Sequence, residues 1–269
     1  MATFGFIGAG NMASAIVRGA VAAGRDPNSI AVTDVNPAAR ENLAVEVGVR
    51  ALPDAADVVQ ESDFVVLAVK PQVVPDVLPA LGDVLRATDT VLVSIAAGIP
   101  LARLSELAGG SLPVIRVMPN VNAQVSAGMA AVAGGDLATR AQVEEVVALF
   151  RSVGDAIELE EKHFAAYTAI AGSSPSWVFT FIEALTKAGV KHGLTRAVAA
   201  RCATQAVLGS ATLLTAQAGA KSASDLSDMV CSPGGTTIAG LLAAEAAGFT
   251  PSVVAAVDAT VARDRELGV

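Results

Sequence analysis

The stretch that decides the fold is Phe4-Gly5-Phe6-Ile7-Gly8-Ala9-Gly10-Asn11-Met12-Ala13, near the start of the 269-residue chain. A short apolar run leads into two glycines, and a helical pattern follows at once. In a strand, turn and helix of this kind, Gly8 forms the tight turn and Gly10 lets backbone N–H groups approach a pyrophosphate. Ala13 supplies the small residue that the helix needs where it packs on the strand. Taken alone, the motif also fits an ordinary glycine turn.

Short β-branched runs alternate with helical patterns through the first part of the chain. Several of the runs are continuously apolar, as strands covered on both faces are. This alternation indicates an α/β, Rossmann-type domain with a mostly parallel sheet. The predicted strands are 3–7, 30–33, 64–69, 90–95, 114–118 and 129–133, and the predicted helices include 12–23, 37–46 and 137–150.

The strand signal disappears after about residue 161, and helices are predicted at 175–191, 196–217 and 251–265. We therefore expect two domains: a dinucleotide-binding domain over 1–161 and an all-α domain over 162–269. The second domain is rich in Ala, Gly and Ser and has few large side chains, so alone it buries little. We expect it to dock with a copy of itself, giving a homodimer or a larger oligomer.

Composition excludes several kinds of partner. The net charge is −8 and no cluster of Lys and Arg appears, which argues against nucleic acid. Two cysteines and two histidines give neither a disulfide framework nor a metal site, so a reducing, cytoplasmic setting is expected. The apolar N-terminus lacks a preceding basic residue and does not read as a signal peptide. The uncharged stretch 163–182 is interrupted at 172–176, which argues against a membrane span.

Asp34 ends the second predicted strand, where a carboxylate usually accepts a hydrogen bond from the 2′-hydroxyl of the adenosine ribose. This favours NADH over NADPH, because a 2′-phosphate would be repelled and would need a neighbouring Arg. The next residues are Val35 and Asn36, and Arg40 lies a turn into the following helix. The alternative is that Asp34 only begins the loop and caps the helix after Pro37.

Other strands end at the same expected edge of the sheet, where ligands bind in such folds. Lys70 follows one of them and is predicted to stand near the nicotinamide ribose and phosphate; the alternative is a solvated Lys stopped by Pro71. Small residues and an amide end two further strands. The candidate residues at these three ends are Ala68, Val69 and Lys70, then Ala96, Ala97 and Gly98, and finally Asn120.

A second glycine-rich turn opens a helix at Asp228-Met229-Val230-Cys231-Ser232-Pro233-Gly234-Gly235-Thr236-Thr237-Ile238. The exposed N–H groups of such a helix start form an anion site, suited to a substrate carboxylate. The alternative is a plain helix cap, with Thr236 or Thr237 as the capping hydroxyl.

With these motifs in hand, the chain resembles the pyrroline-5-carboxylate reductases, which catalyse the last step of proline biosynthesis. The matching runs span nearly the full length in the family's order, and the last is highly specific. They are Phe6-Ile7-Gly8-Ala9-Gly10-Asn11-Met12-Ala13, Ala68-Val69-Lys70-Pro71, Ser94-Ile95-Ala96-Ala97-Gly98, Val114-Ile115-Arg116-Val117-Met118-Pro119-Asn120, Gly172-Ser173-Ser174-Pro175 and the run from Asp228 to Ile238.

The resemblance implies reduction of 1-pyrroline-5-carboxylate to L-proline by hydride from NADH or NADPH, in a fold whose helical domain interlocks with its twin. It makes Thr237 the catalytic residue, with its hydroxyl on the ring nitrogen. The substrate carboxylate would be bound at Ser232, Gly234, Gly235 and Thr236. The cofactor phosphates would be wrapped by Gly8, Gly10, Asn11 and Met12, with Ala68 and Lys70 beside the nicotinamide half.

Three departures from the family pattern stand out. Val121-Asn122 replaces a usual Thr-Pro, Lys221-Ser222-Ala223 replaces a usual Glu-His-Pro, and Ala55 replaces an Asn common near the adenosine. The first two bear on substrate preference and the third on the cofactor. The alternatives are a reductase of another cyclic imino acid and a non-catalytic, nucleotide-sensing paralogue. Thr237 argues against a sensor, which needs no donor aimed at a substrate nitrogen.

Overall fold

The computed structural model of the protein describes residues 2–267. The chain forms two compact units, one running to Ser173 and including the chain from Thr260 onward, the other spanning Ser174–Ala259. The predicted domain ends, residues 1 and 268–269, lie outside the described residues. The predicted boundary between residues 161 and 162 stays a prediction.

The first unit contains a single sheet, which has eight strands within residues 2–267. Six coincide with the predicted strands, with small shifts at their ends. Two edge strands were not predicted, because β3 has only two residues and β8 contains a glycine and two acidic residues among its five, which disfavour a strand. The strands are β1 Phe4–Ile7, β2 Ile30–Thr33, β3 Arg50–Ala51, β4 Phe64–Leu67, β5 Val91–Ser94, β6 Val114–Pro119, β7 Gly128–Gly134 and β8 Gly154–Glu158.

The strand order in the sheet is β3-β2-β1-β4-β5-β6-β7-β8. Every neighbouring pair is parallel except β6 and β7, which run antiparallel. The prediction of a mostly parallel, Rossmann-type sheet is confirmed. From β1 the chain adds β2 and β3 toward one edge, then returns to β4 on the other side of β1 and adds strands toward the opposite edge. The order of strand addition therefore reverses between β1 and β4, although these two strands are parallel.

The helices of the first unit cover both faces of this sheet. They are α1 Asn11–Ala22, α2 Pro37–Val47, α3 Ala55–Gln60, α4 Val74–Ala87, α5 Leu101–Leu107, α6 Arg140–Arg151 and α7 Phe164–Tyr167. Alternate residues of β4 enter two different apolar clusters: Phe64 and Val66 pack with α1 and α6, while Val65 and Leu67 pack with α3 and α4. This is why the strands read as continuous apolar runs.

A π-helical segment, Thr168–Ser173, continues α7 into α8 (Ser174–Lys191). The predicted interruption at 172–176 is therefore wrong, because the backbone stays helical through the Gly-Ser-Ser-Pro run. Pro175 lacks the N–H that would bond the Ala171 carbonyl four residues earlier, and that carbonyl instead accepts the Asn120 amide N–H at 2.9 Å. Proline is therefore tolerated within the continuous helix.

The second unit contains only helices in its described residues, as predicted. It comprises α8, α9 Arg196–Ala216, α10 Ala223–Val230, α11 Thr236–Ala246 and the first part of α12 Phe249–Leu267. Helices α8 and α9 approach closely because small residues face each other. A Cβ built on Gly189 would lie 2.8 Å from the Cβ of Ala199. The Arg196 guanidinium binds the Glu183 carboxylate at 2.9 Å across the same pair of helices.

Much of the apolar surface of the second unit is exposed in the single chain. Phe179, Leu208 and Leu242 are each more than half exposed, and α10 and α11 bury no residue. A surface of this kind marks an interaction site. Within residues 2–267, α9 is also long and apolar enough to span a membrane, and α11 with α12 passes the same test only as a pair bent by 49°. Core helices of soluble proteins pass this test too.

Arg116, on β6, is a buried charged residue of the first unit that links β6 to neighbouring segments through Glu161. Its guanidinium donates to the Glu161 carboxylate at 2.8 Å and lies 4.8 Å from the centre of the Phe164 ring. The same Glu161 oxygen accepts the N–H of Leu101, the first residue of α5, at 2.8 Å. One carboxylate thus joins β6, α5 and the approach to α7.

We expect Glu161→Gln to destabilise the protein by about 2–3 kcal/mol, because the Arg116 side chain is 7% exposed and would keep an uncompensated charge. Urea unfolding followed by circular dichroism measures the change. Glu144→Gln is the matched control, since Glu144 pairs with Arg140 on the exposed face of α6 and should cost less than about 1 kcal/mol. Equal losses for the two variants would contradict this role for Glu161.

Candidate active site

The candidate site of the first unit lies where the sheet reverses between β1 and β4. The parallel strands β1, β2, β4, β5 and β6 all end at one edge, in register from Ile7 through Leu67 to Ser94. In open sheets of this kind, ligands bind outside the carboxyl ends of the strands at the reversal point. Each predicted cofactor residue follows one of these strand ends.

Gly8 makes the tight turn after β1. Its φ is +107°, and its N–H donates to the Thr33 carbonyl at 2.8 Å. A Cβ at this position would lie 2.7 Å from the carbonyl oxygen of Ala68. Only glycine fits, because both the backbone conformation and the approach of β4 exclude a side chain. Ala13 is buried against this part of the sheet, as the motif predicts.

Gly10 differs from Gly8, because the chain itself does not demand a glycine there. Its φ is −71°, and a Cβ would find no other atom within 4 Å. It is the N-cap of α1 and offers no side-chain cap, so Asn11 and Met12 begin the helix with free N–H groups. Open space beside a helix N-terminus fits a pyrophosphate.

Asp34 lies beside the glycine turn. One carboxylate oxygen accepts the Ala9 N–H at 2.7 Å, and the other accepts the Asn36 N–H at 2.8 Å. The alternative that Asp34 caps the next helix is wrong, because the side chain of Asn36 caps α2 through the Ala38 N–H. Arg40 also reaches this corner, since its guanidinium donates to the Asp34 carbonyl at 3.1 Å.

The ends of β4 and β5 lie along the same edge. Ala68 continues the β1–β4 pairing through its N–H to the Ile7 carbonyl at 2.9 Å, and Lys70 is exposed two residues later. Beyond β5, Ala96 is buried, Ala97 is exposed and Gly98 turns the chain with a φ of +77°. Contacts of these residues and of Val69 with a cofactor stay predictions.

Asn120, at the end of β6, is already held by backbone groups. Its amide nitrogen donates to the Ala171 carbonyl at 2.9 Å, and its amide oxygen accepts the Met129 N–H at 3.1 Å. These bonds tie β6 to β7 and to the π-helical segment. A direct bond from Asn120 to a cofactor stays a prediction, and the bonds seen here give it a positioning role.

Thr168, in the π-helical segment, is a candidate functional residue that the sequence does not reveal. Its hydroxyl is buried and has no hydrogen-bond partner among the described residues. The segment packs on the end of β6, since a Cβ built on Gly172 would lie 3.3 Å from the Met118 side chain. π-helical segments often occur at functional sites. No spacing or motif distinguishes this threonine, because its hydroxyl is isolated only by the packing.

The predicted substrate turn opens α11 in the second unit. The Gly235 N–H donates to the Ser232 carbonyl at 3.0 Å, and Gly234 has a φ of +67°. Gly235 is the N-cap of α11 and no side chain caps the helix, so the predicted alternative of a capping Thr236 or Thr237 is wrong. Both threonines are exposed. The first-turn N–H groups are thus available to an anion.

The unusual tripeptide Lys221-Ser222-Ala223 precedes α10. Ser222 and Asp225 form a capping box, in which the Ser222 N–H donates to the Asp225 carboxylate at 2.8 Å and the Asp225 N–H donates back to the Ser222 hydroxyl at 3.2 Å. The hydrogen bond from the Ser222 N–H lowers the pKa of Asp225. Ser222 therefore supplies the N-cap of α10.

Two family models match the chain in consecutive parts. The model described as "NADP oxidoreductase coenzyme F420-dependent" matches residues 3–98. The model described as "Pyrroline-5-carboxylate reductase dimerisation" matches residues 161–267. The first covers the glycine turn and the β1–β4 reversal, and the second covers the turn at Ser232–Thr237.

Relatives match over the whole length. A pyrroline-5-carboxylate reductase from Glycine max is 44% identical over 98% of this chain and 96% of its own. The structure of a pyrroline-5-carboxylate reductase from Coxiella burnetii has a TM-score of 0.95 at 32% identity, covering 100% of this chain and 99% of the other. That of the Plasmodium falciparum reductase with NADP bound has a TM-score of 0.87 at 28% identity, covering 100% and 98%. The chain belongs to the pyrroline-5-carboxylate reductase family.

Proposed function

We propose that this protein reduces 1-pyrroline-5-carboxylate to L-proline with NAD(P)H, in the last step of proline biosynthesis. The observation that carries the proposal is the Thr237 hydroxyl, which caps no helix and stands exposed in the first turn of α11. It occurs in a chain that matches pyrroline-5-carboxylate reductases along its full length. A sensor would have no use for such a donor.

The dinucleotide would be held by the first unit. The backbone at Gly8, Gly10, Asn11 and Met12 would bind the pyrophosphate, since the space next to Gly10 is open. When bound, the nicotinamide supplies the hydride. Asp34 has the position of a ribose-binding carboxylate, which favours NADH. The Plasmodium falciparum relative has NADP bound, so we propose that the site binds both dinucleotides; Asp34 taken alone favours NADH.

The substrate would be held by the second unit. Backbone groups at Ser232, Gly234 and Gly235, with Thr236, would bind the carboxylate at the positive end of α11. The Thr237 hydroxyl would then donate to the ring nitrogen, or hold the proton there if the imine arrives protonated. In the first arrangement the preorganised donor polarises the C=N bond and makes the imine carbon electrophilic. In the second, the proton already on nitrogen does so, the hydroxyl accepts that N–H and positions the ring, and the proton remains on the amine after hydride transfer.

A second substrate class is another cyclic imino acid. Val121 begins the loop after β6 with an exposed side chain, and Val121-Asn122 stands where the family resemblance leads us to expect Thr-Pro. Parallel assays with five- and six-membered cyclic imino acids separate these alternatives. Turnover with the six-membered ring alone would favour the second class.

We expect purified protein to oxidise NADH or NADPH in the presence of 1-pyrroline-5-carboxylate, and Thr237→Ala to lower kcat roughly 10²-fold, the order expected for loss of one preorganised donor. Steady-state cofactor absorbance measures both. Thr237→Ser keeps the hydroxyl and should keep most of the activity. Absence of wild-type turnover with either cofactor would overturn the proposed reaction.

The thermal unfolding of these variants is the control. Because Thr237 makes no capping bond, Thr237→Ala and Thr237→Ser should unfold at nearly the same temperature. If Thr237→Ala kept full activity, the hydroxyl would have no catalytic role.

Alanine substitutions at the two glycines of the first turn should distinguish effects on fold stability from effects on dinucleotide affinity. We expect Gly10→Ala to change the free energy of unfolding by less than about 1 kcal/mol, because its φ suits alanine and no atom lies near its Cβ. Its affinity for dinucleotide should fall at least tenfold, since the new methyl group occupies the open space. Gly8→Ala should instead destabilise the fold by about 1–3 kcal/mol.

Urea unfolding and calorimetric titration with NAD⁺ or NADP⁺ measure the two effects. Wild-type affinity in Gly10→Ala would contradict a pyrophosphate at this position.

We propose that the second unit self-associates and that the protein works in the cytoplasm as a dimer or larger oligomer. The match to the dimerisation model covers residues 161–267, which include the exposed apolar helices. An apolar α9 that faces a second copy needs no membrane. Neither a nucleic-acid partner nor a membrane partner is proposed.

Light scattering at micromolar concentration should give at least twice the mass of one chain. We expect Leu208→Lys to shift the protein toward the single-chain mass, because this α9 side chain is 58% exposed and apolar in the single chain. Leu137→Lys is the matched control, since Leu137 is 57% exposed in the first unit. A single-chain mass for the wild type would overturn the proposal.

A further inference from the structure

The corner formed by Asp34 and Arg40 holds more charge than the ribose-binding role of Asp34 requires. Sequence spacing places Arg40 six residues after Asp34, which makes it a distant neighbour. In the structure α2 begins at Pro37, directly after the loop, so Arg40 lies one turn along the helix. Its guanidinium turns back and donates to the Asp34 carbonyl at 3.1 Å. The side chain is half-buried in this corner.

Asp34 repels a phosphate less than its formal charge implies. Both of its carboxylate oxygens accept backbone N–H groups, from Ala9 at 2.7 Å and from Asn36 at 2.8 Å. The Ala9 N–H belongs to the turn that precedes the N-terminus of α1, where the helix dipole is positive. Hydrogen bonds of this kind satisfy the lone pairs of a carboxylate, and the positive ends of the N–H dipoles offset part of its field.

Arg40 keeps its own charge available. Most arginines of the first unit bind a carboxylate, as Arg18 does with Glu46 at 2.7 Å and Arg25 does with Glu145 at 2.7 Å. Among the described residues, no carboxylate forms an ion pair with Arg40; its one hydrogen bond goes to a carbonyl. The remaining guanidinium N–H groups can bind a phosphate in a bidentate manner, a geometry that suits Arg better than Lys.

The loop between the two residues also offers an apolar surface. Val35 is fully exposed between Asp34 and the start of α2. An aromatic base would cover such a side chain, with the ribose beside Asp34. Arg40 and the positive N-terminus of α2 both follow Val35 in the chain, so both positive groups lie beyond the base-covering side chain.

We propose that Arg40 binds the 2′-phosphate of NADPH, so that the site accepts NADPH in spite of Asp34. The proposal rests on the proposed function only through dinucleotide binding. In this arrangement the Asp34 carboxylate accepts a hydrogen bond from the 2′-hydroxyl of NADH. In NADPH the same 2′-oxygen carries a phosphate, and the Arg40 guanidinium donates to that phosphate. Arg40 is a specificity residue for the cofactor and takes no part in the reaction.

The test uses two small probes, adenosine 2′,5′-bisphosphate and adenosine 5′-monophosphate, which differ only in the 2′-phosphate. Calorimetric titration of the full-length protein measures their affinities without any imine. The wild type should bind the bisphosphate more tightly. Arg40→Gln should weaken bisphosphate binding about tenfold or more, since it removes a charged hydrogen-bond partner, and should leave monophosphate binding within about threefold.

Arg140→Gln is the matched control, because it makes the same change of charge on α6, which packs on β7 and β8 at the sheet edge opposite β2 and β3. It should leave both affinities unchanged. Arg40→Lys keeps the charge without the planar fork, so it should fall between the wild type and Arg40→Gln. Raising the salt concentration should weaken bisphosphate binding to the wild type more than to Arg40→Gln.

Equal binding of the two probes by the wild type would overturn the proposal, as would equal losses in Arg40→Gln and Arg140→Gln. Thermal unfolding checks that each variant is folded. If Arg40→Gln is unfolded, the comparison of Arg40→Lys with the wild type decides the question. Because no imine is present, a failure of the proposed reductase activity would not affect the result.

Discussion

The turn at Gly8 closes against Ala68 with no room for a side chain, and the nucleotide half of the molecule depends on that contact. Its N–H is bonded to the end of β2, and the carbonyl of Ala68 belongs to the end of β4. Three strand ends therefore meet at one point. This convergence orients the N-terminus of α1 and places Asp34 against the turn. It also forms the crevice between the ends of β1 and β4 in which a dinucleotide can lie.

We expect this protein to recognise anions chiefly through backbone groups. The chain carries a net charge of −8, yet both of its candidate ligands are anionic. The N-termini of α1 and α11 provide free N–H groups, and in each case a glycine occupies the cap position. Two glycine-rich turns can thus bind phosphates and a carboxylate with few charged side chains, and the charged residues that remain, such as Arg40, are left to tune specificity.

The second unit uses small residues for another purpose. Glycine and alanine let α8 and α9 approach closely, but they bury little apolar area. Large side chains such as Phe179 and Leu242 remain exposed. A helical unit built in this way gains stability from a second copy of itself, because burial of those side chains is then shared between subunits. This arrangement links the fold of the second unit to its assembly.

The sequence by itself determined the alternating α/β order, the mostly parallel sheet, the helical second part and the two glycine-rich turns. These features are local, since continuous apolar runs, 3.6-residue periodicity and glycine turns are written in neighbouring residues. It did not determine the edge strands β3 and β8, whose pairing comes from partners distant in the chain. Only the tertiary structure decided that Asn36 caps α2 in place of Asp34, that Thr237 caps nothing, and that Arg40 turns back onto Asp34. It also decided that the Thr168 hydroxyl is buried without a partner. Each of these depends on where a side chain points after packing, which spacing along the chain does not fix.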